Sequence, residues 1–406
     1  MGTPQTPYEA VLHAARDVAK LDNALDAEML GAALLGSVYS VAETERDAAV
    51  RDFVAGFLAA TSRRRSAAAT TIRAVFAALV PDAEGAGRVR PGAATPTWAA
   101  QLGHVRLTGC WSYGDVYGDQ TSYLATFAYD DPTGGSPHAV VTLLDHNIGI
   151  TKDVFVGGPP DRILDQVRQM CAGDELTWFR DEEPARMRAE VTRHLAITDG
   201  LTELPGEGSL ATDRALLGAR LARLPQAAGA APAPAEPLSA AERTELVRRF
   251  LAAPEAARFG LDAIDGAELA SLHFCLSLLL DHAASFPDAD PMRWSPTVAG
   301  LFLLDWVHRR AVLDMDDAAL LPRVLRGWAG YAARKRGLPE QAAAQIDTAI
   351  EEMVPEFARL YSTGERRSPA TAAVAQLMAD GVDPDDPAAL DAWIEANRHR
   401  LTDDPA

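Results

Sequence analysis

Apolar residues recur every three or four positions through most of the first 80 residues. The repeats fall in YEAVLHAARDVAKL (8–21), DAEMLGAALLGSVYSVA (26–42), RDAAVRDFVAGFLAA (46–60) and TTIRAVFAALV (70–80). This spacing places apolar side chains on one face of a helix, so residues 6–80 are predicted to be helical. The Gly, Pro and Thr content of residues 82–97 predicts a loop.

After the loop, aromatic and β-branched residues become frequent. A meander of three strands is predicted for HVRLTGCWSY (104–113), SYLATFAYDD (122–131) and HAVVTLLDHN (138–147). KDVFV (152–156) either continues the third strand or forms a fourth. A helix between Pro160 and Gly173, a strand LTWFR (176–180) and one more helix complete this region.

Beyond residue 238 every segment reads as helix. Ser239 followed by Glu242 predicts a capping box at the first of these helices. Pro322 and Pro339 are predicted to open helices, because proline suits the first helical turn. Pro355 is predicted to end or kink a helix, because proline has no backbone N–H.

These patterns predict an α+β fold, with N-terminal helices and a small, mostly antiparallel sheet followed by an all-α C-terminal domain. The segment PQAAGAAPAPAEPL reads as a fairly stiff Ala/Pro linker. The predicted divisions are an N-terminal helical segment, a small α+β domain, the linker and the all-α domain, at residues 1–96, 97–224, 225–238 and 239–406.

The composition, 48% hydrophobic and 23% charged over 406 residues, is ordinary for a soluble globular protein. The three cysteines, Cys110, Cys171 and Cys275, lie far apart and predict neither a disulfide framework nor a zinc site. No stretch reaches the roughly 18 consecutive apolar residues of a membrane span, and LASLHFCLSLLL (269–280) reads as a buried core helix. The first residues lack a secretory signal, so a cytoplasmic protein with reduced thiols and no membrane association is predicted.

The net charge of −19, spread over both halves of the chain, restricts the partners. An acidic surface repels phosphate backbones and anionic lipid, so duplex nucleic acid is not expected to bind. Arg63, Arg64 and Arg65, with Arg73 nearby, form a basic cluster that reads as a solvated helix end rather than a nucleic-acid contact.

Three segments carry a resemblance to other proteins. They are TGCWSYGDVYGDQTSYLATFAYDD, HAVVTLLDHNIGITKDVFV and RWSPTVAGLFLLDWVHRRAVL. These segments resemble a family of uncharacterised actinobacterial proteins. The resemblance implies no activity and assigns no functional residue.

Residues 140–158, VVTLLDHNIGITKDVFVGG, hold the main group of candidate catalytic side chains. In one continuous strand, Asp145 and Asp153 would face one side while His146 and Lys152 faced the other. A bulge or turn at Gly149 changes this register and brings all four together.

Two carboxylates, an imidazole and an ammonium suit metal-assisted hydrolysis. The carboxylates hold a divalent ion and the lysine stabilises developing negative charge. Asp145, His146, Lys152 and Asp153 are therefore the candidate catalytic residues of a metal-dependent hydrolase or nuclease. The alternative is structural. Two strands are joined by a polar reversal around Asn147 to Gly149, and Lys152 protects an exposed edge strand against aggregation.

An aromatic group precedes this segment in the chain. Trp111, Tyr113 and Tyr117 are candidate ligand-binding residues, because Tyr and Trp are common anchors in interfaces. The alternative is a hairpin loop beside a half-buried sheet, since the surrounding Gly and Asp residues favour turns.

The helical half offers one further metal-site hypothesis, built from Asp281, His282, Asp305 and His308. The familiar His-Glu-x-x-His pattern is missing, and pairing of Asp305 with Arg309 is the preferred prediction. His273 is predicted to be a core histidine. Signatures of common nucleotide, hydride-transfer and acyl-transfer enzymes are also missing from the sequence.

The sequence therefore favours a cytosolic binding or adaptor protein with a possible protein partner. The alternative function is the metal-dependent hydrolase or nuclease centred on residues 145–153. The two differ in whether the four candidate catalytic side chains converge in a concave site.

Overall fold

The computed structural model describes residues 6–90, 92, 94–206, 209–226, 235–266, 268–382 and 386–402. The chain forms two compact units, Met1–Pro232 and Ala233–Ala406. The first unit combines helices with a sheet, and the described part of the second is helical, which confirms the predicted α+β fold class. Residues 227–234 of the predicted linker lie outside the described residues, and the predicted division into four segments stays a prediction.

Four helices open the first unit: α1 Pro7–Ala14, α2 Ala24–Val41, α3 Arg46–Thr61 and α4 Ala67–Leu79. Three of them begin at a polar side chain that accepts a hydrogen bond from a backbone N–H of the first turn. These N-caps are Thr6, Asn23 and Ser66.

The sheet has five antiparallel strands in the order β4-β3-β2-β1-β5. The strands are β1 Val105–Asp115, β2 Gln120–Tyr129, β3 His138–Asp145, β4 Ile150–Gly157 and β5 Thr177–Asp181. KDVFV therefore belongs to a separate fourth strand. Three helices follow in this unit, α5 Pro160–Ala172, α6 Pro184–Asp199 and α7 Leu210–Leu221.

Both faces of the sheet are covered. Helices α2, α4, α6 and α7 share one apolar core with the first face, where Leu35, Phe76, Phe127 and Leu217 are buried. Helix α5 covers the second face and forms a smaller cluster around Leu124. Alternate residues of β2 thus pack into different cores, which explains why every residue of this strand after Gln120 is buried.

A charged pair lies inside the first core. Glu28 of α2 and Arg220 of α7 are each only 0–1% exposed, and Arg220 Nη2 lies 2.5 Å from Glu28 Oε2. Tyr129 Oη donates to the same carboxylate at 2.7 Å, and Arg220 Nε donates to His138 Nε2 at 3.0 Å. Burial, reinforced by the Arg220 charge, lowers the pKa of His138 to about 3, so this imidazole is a neutral acceptor.

Helix α2 is long and apolar enough to cross a membrane by length and composition. Half of it is buried inside the first unit, and it carries the buried Glu28. These two features are typical of a core helix.

The second unit contains nine described helices and a π-helical turn at Phe302–Trp306. They are α8 Ala240–Leu251, α9 Pro254–Arg258, α10 Glu268–Ala284, α11 Pro296–Leu301, α12 Val307–Arg310, α13 Met315–Arg336, α14 Glu340–Thr363, α15 Pro369–Ala379 and α16 Pro387–Thr402. The predicted capping box of Ser239 and Glu242 is confirmed. Large buried side chains, including Phe250, Trp294 and Trp328, fill the core of the second unit.

The prediction that Pro322 opens a helix is wrong. Pro322 lies inside α13, whose N-cap is Asp314, whereas Pro339 does stand at the start of α14. Helix α14 also continues through Pro355. Buried apolar side chains on both sides of each proline keep these helices continuous, because their packing outweighs one lost backbone hydrogen bond.

Replacing Arg220 with Met should destabilise the first unit by about 3–5 kcal/mol, because the Glu28 carboxylate would stay buried without its cation. The double variant Glu28→Leu/Arg220→Met should recover much of that loss, since it removes both charges. Hydrogen exchange of the β2 and β3 amides in urea measures the effect within this unit. Arg162→Met, at an exposed position on α5, is the control, and an equal effect in both single variants would contradict the prediction.

Candidate functional site

Strands β3 and β4 form the hairpin that carries the four candidate catalytic residues. Its turn contains Gly149 at φ +73°, a left-handed conformation that favours glycine. The strand pairing slips by one residue between Thr151 and Asp153, which leaves Lys152 as an extra residue in β4. The segment therefore contains both a turn and a bulge, and it is not one continuous strand.

Asp145 ends β3 and is 9% exposed. Its Oδ1 accepts a hydrogen bond from the Asn147 backbone N–H at 3.0 Å, and its Oδ2 accepts one from Gln120 Nε2 at 3.4 Å. The Lys152 ammonium lies 3.7 Å from the same carboxylate, on a side chain that is about half exposed. Asp145 therefore caps the hairpin turn, and Lys152 adds a solvent-screened ion pair.

Asp153 has a different set of partners, at the outer edge of the sheet. Its Oδ1 accepts hydrogen bonds from the Ser209 backbone N–H at 3.0 Å and from Ser209 Oγ at 3.1 Å. Nearby, the Thr151 backbone N–H donates to Thr198 Oγ1 at 2.9 Å. Side chains from α6 and from the start of α7 thus satisfy backbone groups that an edge strand would otherwise expose.

His146 follows β3 and contacts a second histidine. Its Nε2 lies 2.9 Å from Thr121 Oγ1, and its ring is 5.3 Å from the ring of His194 in an edge-to-face arrangement. His194 is buried on α6, and its Nδ1 donates to the Glu190 carbonyl at 2.8 Å. Burial lowers the pKa of His194, so this imidazole is neutral at pH 7.

The structure thus brings Asp145 beside Lys152 and His146 beside His194, whereas Asp153 is engaged with Ser209. Within the part of the chain that the structure describes, no group of three or more His, Cys, Asp or Glu side chains is arranged to hold a metal ion. The charged side chains of this hairpin mainly form hydrogen bonds and an ion pair within its own turn and at the edge of the sheet.

Sequence reasoning missed two groups near this hairpin, His194 and Asp213. Burial, together with the nearby Asp153 carboxylate, raises the pKa of Asp213 on α7 to about 6. The Asp213 carboxylate also accepts a hydrogen bond from the backbone of Val156 in β4. Neither residue stands in a local pattern that marks it, because only the packing of α6 and α7 on β4 brings them to the hairpin.

The three candidate aromatic residues pack within the first unit. Trp111 and Tyr113 lie in the cluster beneath α5, where the Arg168 guanidinium is 5.9 Å from the Trp111 ring. Tyr117 is buried in the β1–β2 turn. Asp115 stabilises this turn by accepting three backbone N–H hydrogen bonds at 2.7–3.0 Å. Both groups of rings are thus largely covered by the chain itself.

The helical metal-site hypothesis fails on geometry. Asp281 pairs with Arg243, with 2.5 Å between Oδ1 and Nη1. The preferred pairing of Asp305 with Arg309 is confirmed at 2.8 Å. His308 lies against Phe357. These side chains therefore do not form a common ligand set.

His282, and not His273, is the core histidine of α10. The prediction for His273 is wrong, because that residue is exposed. His282 is 3% exposed and lies among four aromatic rings at centroid distances of 5.0–5.8 Å. Neither of its ring nitrogens makes a hydrogen bond of good geometry. Burial, with a further contribution from Arg293, lowers its pKa to about 4, and only a weak contact with the Val298 backbone raises it.

An open groove of about 640 Å³ lies on the second unit, between α13, α14 and the residue that follows α9. We call it the apolar groove, and its main lining residues are Phe259, Met315, Ala319, Pro322, Phe357 and Tyr361. Met315 is 79% exposed. Sequence reasoning missed this groove, because its lining residues come from separate segments of the chain and only the packing of the helices brings them together.

Comparisons of the chain with protein-family models, curated proteins and solved structures find no match. They therefore assign neither a family nor an activity. The predicted likeness to actinobacterial proteins stays a prediction. Function is inferred below from the geometry of the described residues.

Asp145→Ala should destabilise the first unit by about 1 kcal/mol, the usual loss for one turn hydrogen bond. Asp130→Ala, at an exposed carboxylate on the same sheet, should change stability by less than about 0.5 kcal/mol. Mn²⁺ or Mg²⁺ should leave the melting temperature of the wild type unchanged, because this hairpin lacks a convergent ligand set. If the ion raised the melting temperature of the wild type but not that of Asp145→Ala, this result would contradict the structural role of Asp145.

His282→Phe should stabilise the second unit by about 1–3 kcal/mol at pH 7, because it removes two buried nitrogens that make no hydrogen bond of good geometry. His282 has a folded pKa of about 4, below the value of about 6.5 for an unfolded histidine. Wild-type stability should therefore fall between pH 6.5 and pH 4, by up to about 3 kcal/mol, as the unfolded chain binds the proton first.

Urea unfolding followed by hydrogen exchange of the α10 amides measures both effects of this substitution. His282→Phe should flatten the pH dependence of this unit. The matched change His273→Phe, at an exposed position of the same helix, should preserve it. A steeper pH dependence in His282→Phe would refute the assignment.

Proposed function

We propose that this chain is a cytosolic binding or adaptor protein whose second unit binds an apolar segment of a protein partner. The single observation that supports this function is the apolar groove. Its volume of about 640 Å³ lies within the range of about 300–1,000 Å³ that is typical of ligand sites.

The lining of the groove favours an apolar ligand. Met315, Phe357 and Tyr361 contribute large apolar surfaces, and Ala319 and Ala358 leave room between them. Burying such surface on binding yields roughly 25 cal/mol for each Å² removed from water. A flexible methionine adapts its shape to a partner, as methionines do at many binding surfaces.

The charged residues of the groove are already paired. Arg323 Nη2 lies 2.8 Å from Glu268 Oε1, and Arg326 Nε lies 2.6 Å from Asp347 Oδ1. The two guanidinium groups are therefore neutralised within the unit. An uncharged, apolar partner segment fits this groove better than a strongly acidic one.

Pro322 gives the groove a polar feature. Because proline has no N–H, the carbonyl of Ala318 lacks the donor that it would have four residues further along an ordinary helix. Ala318 and Pro322 both line the groove. A partner backbone N–H or polar side chain is the natural donor for this carbonyl.

The hydrolase or nuclease alternative gains no support from the described residues. Asp145 and Asp153 hold backbone N–H groups of the hairpin and its edge. The two carboxylates are engaged with different partners, so they do not face a shared position for a divalent ion. The binding function is therefore the better proposal.

Photo-cross-linking tests the proposal directly. A photoreactive amino acid at Ala319, inside the groove, should give one discrete adduct in cells of the organism that encodes the protein. The same group at Glu352, exposed on α14 outside the groove, should give none. Equal labelling from both positions, or none from Ala319, would contradict the proposal.

Met315→Asp provides a second test with the partner identified by the cross-link. A carboxylate at this exposed position should weaken binding by about tenfold or more, because it must lose water when the partner binds. The melting temperature should stay close to that of the wild type, since Met315 contributes little to the core. Unchanged affinity would exclude the groove as the binding surface.

A further inference from the structure

A second open cleft lies on the first unit, between α3, α4 and the loop that follows α4. Its volume is about 660 Å³. Arg73, Arg88 and Arg90 line it, and we call it the arginine cleft. Three arginines therefore line one cleft in a protein whose net charge is −19.

Arg73 is a buried cation in this cleft, only 8% exposed. Its Nη1 donates to the Thr61 carbonyl. Among the described residues, no carboxylate lies within ion-pair distance of it. Burial lowers the pKa of this guanidinium, and the positive charge of Arg65 lowers it further. A desolvated cation beside other cations is costly unless an anion compensates it.

The other two arginines are exposed and point to the same conclusion. Arg90 Nη1 donates only to carbonyls of its own loop, at 2.7 and 2.8 Å. Arg88 makes no ion pair or side-chain hydrogen bond with the rest of the described chain. The cleft also contains the Glu84 carboxylate, which is more than 4.0 Å from each of these guanidinium nitrogens. The positive charge in the cleft is thus largely uncompensated.

We propose that the arginine cleft binds a small phosphomonoester that carries an apolar body. Guanidinium groups donate paired hydrogen bonds to phosphate oxygens, and a dianion with three terminal oxygens can use several such donors at once. Leu58 and Val89 supply an apolar wall beside the arginines. The size of the cleft suits a ligand of small-molecule dimensions.

Arg64 is paired with Glu9 at 3.8 Å, but the exposed residues Arg63 and Arg65 also stand close in sequence to Ser62, which lines the cleft. Their charges raise the local concentration of an approaching anion. A single strand of nucleic acid carries the same phosphate chemistry, but it must also approach the acidic remainder of the protein. The small ligand is therefore the favoured class, and the nucleic acid is an outcome of the test.

Calorimetric titration of the full chain with phenyl phosphate tests this inference, with inorganic phosphate and phenol as separate controls for the head group and the apolar body. Phenyl phosphate should bind more tightly than either. Arg88→Gln should weaken binding by about tenfold or more, the typical effect of losing one charge-assisted hydrogen bond. Glu84→Gln should strengthen binding a few-fold, because it removes a carboxylate from the cleft. Both positions are exposed, so the fold should persist.

Arg162→Gln, at an exposed position on α5, is the matched control and should leave the affinity unchanged. Three results would overturn the proposal. The first is the lack of saturable binding at about 1 mM phenyl phosphate. The second is an equal effect of Arg88→Gln and Arg162→Gln. The third is tighter binding of a short single-stranded oligonucleotide than of phenyl phosphate. None of these results bears on the apolar groove, which belongs to the other unit.

Discussion

The buried pair of Glu28 and Arg220 constrains the whole first unit. It joins α2 to α7 where both helices meet the sheet, and Tyr129 and His138 add hydrogen bonds from β2 and β3. Neither charge tolerates burial alone, so the helices must pack in the one arrangement that brings the two together. The same requirement keeps His138 neutral, because it accepts a hydrogen bond from a cation.

The edge of the sheet explains the polar residues that first suggested catalysis. Strand β4 pairs with β3 on one side only, and Thr198, Ser209 and Asp213 supply hydrogen-bond partners on the other. Asp153 holds the start of α7 against this edge. Polar groups concentrated in residues 145–153 are therefore what a protected edge strand and a tight hairpin need. A cluster of polar residues in a sequence can therefore serve to form hydrogen bonds with backbone groups, without any catalytic role.

Each unit carries an open surface with a distinct chemical character. The apolar groove combines paired arginines with large apolar side chains and a helical carbonyl that Pro322 leaves without its usual donor. The arginine cleft combines a buried, uncompensated guanidinium with two exposed ones. The two surfaces differ in chemistry, and we propose that one protein holds an apolar protein segment and a small anion in separate sites. This combination suits an adaptor.

The sequence by itself determined the features that depend on local spacing. Helical periodicity, the order of strands along the chain, the capping box at Ser239 and the pairing of Asp305 with Arg309 all involve residues within a few positions of each other. The tertiary structure decided the rest. Only packing kept α13 continuous through Pro322, buried His282 while leaving His273 exposed, and brought His194 to the hairpin. The groove and the cleft also join residues far apart in the chain, and a contact between distant segments leaves no periodic trace in the sequence.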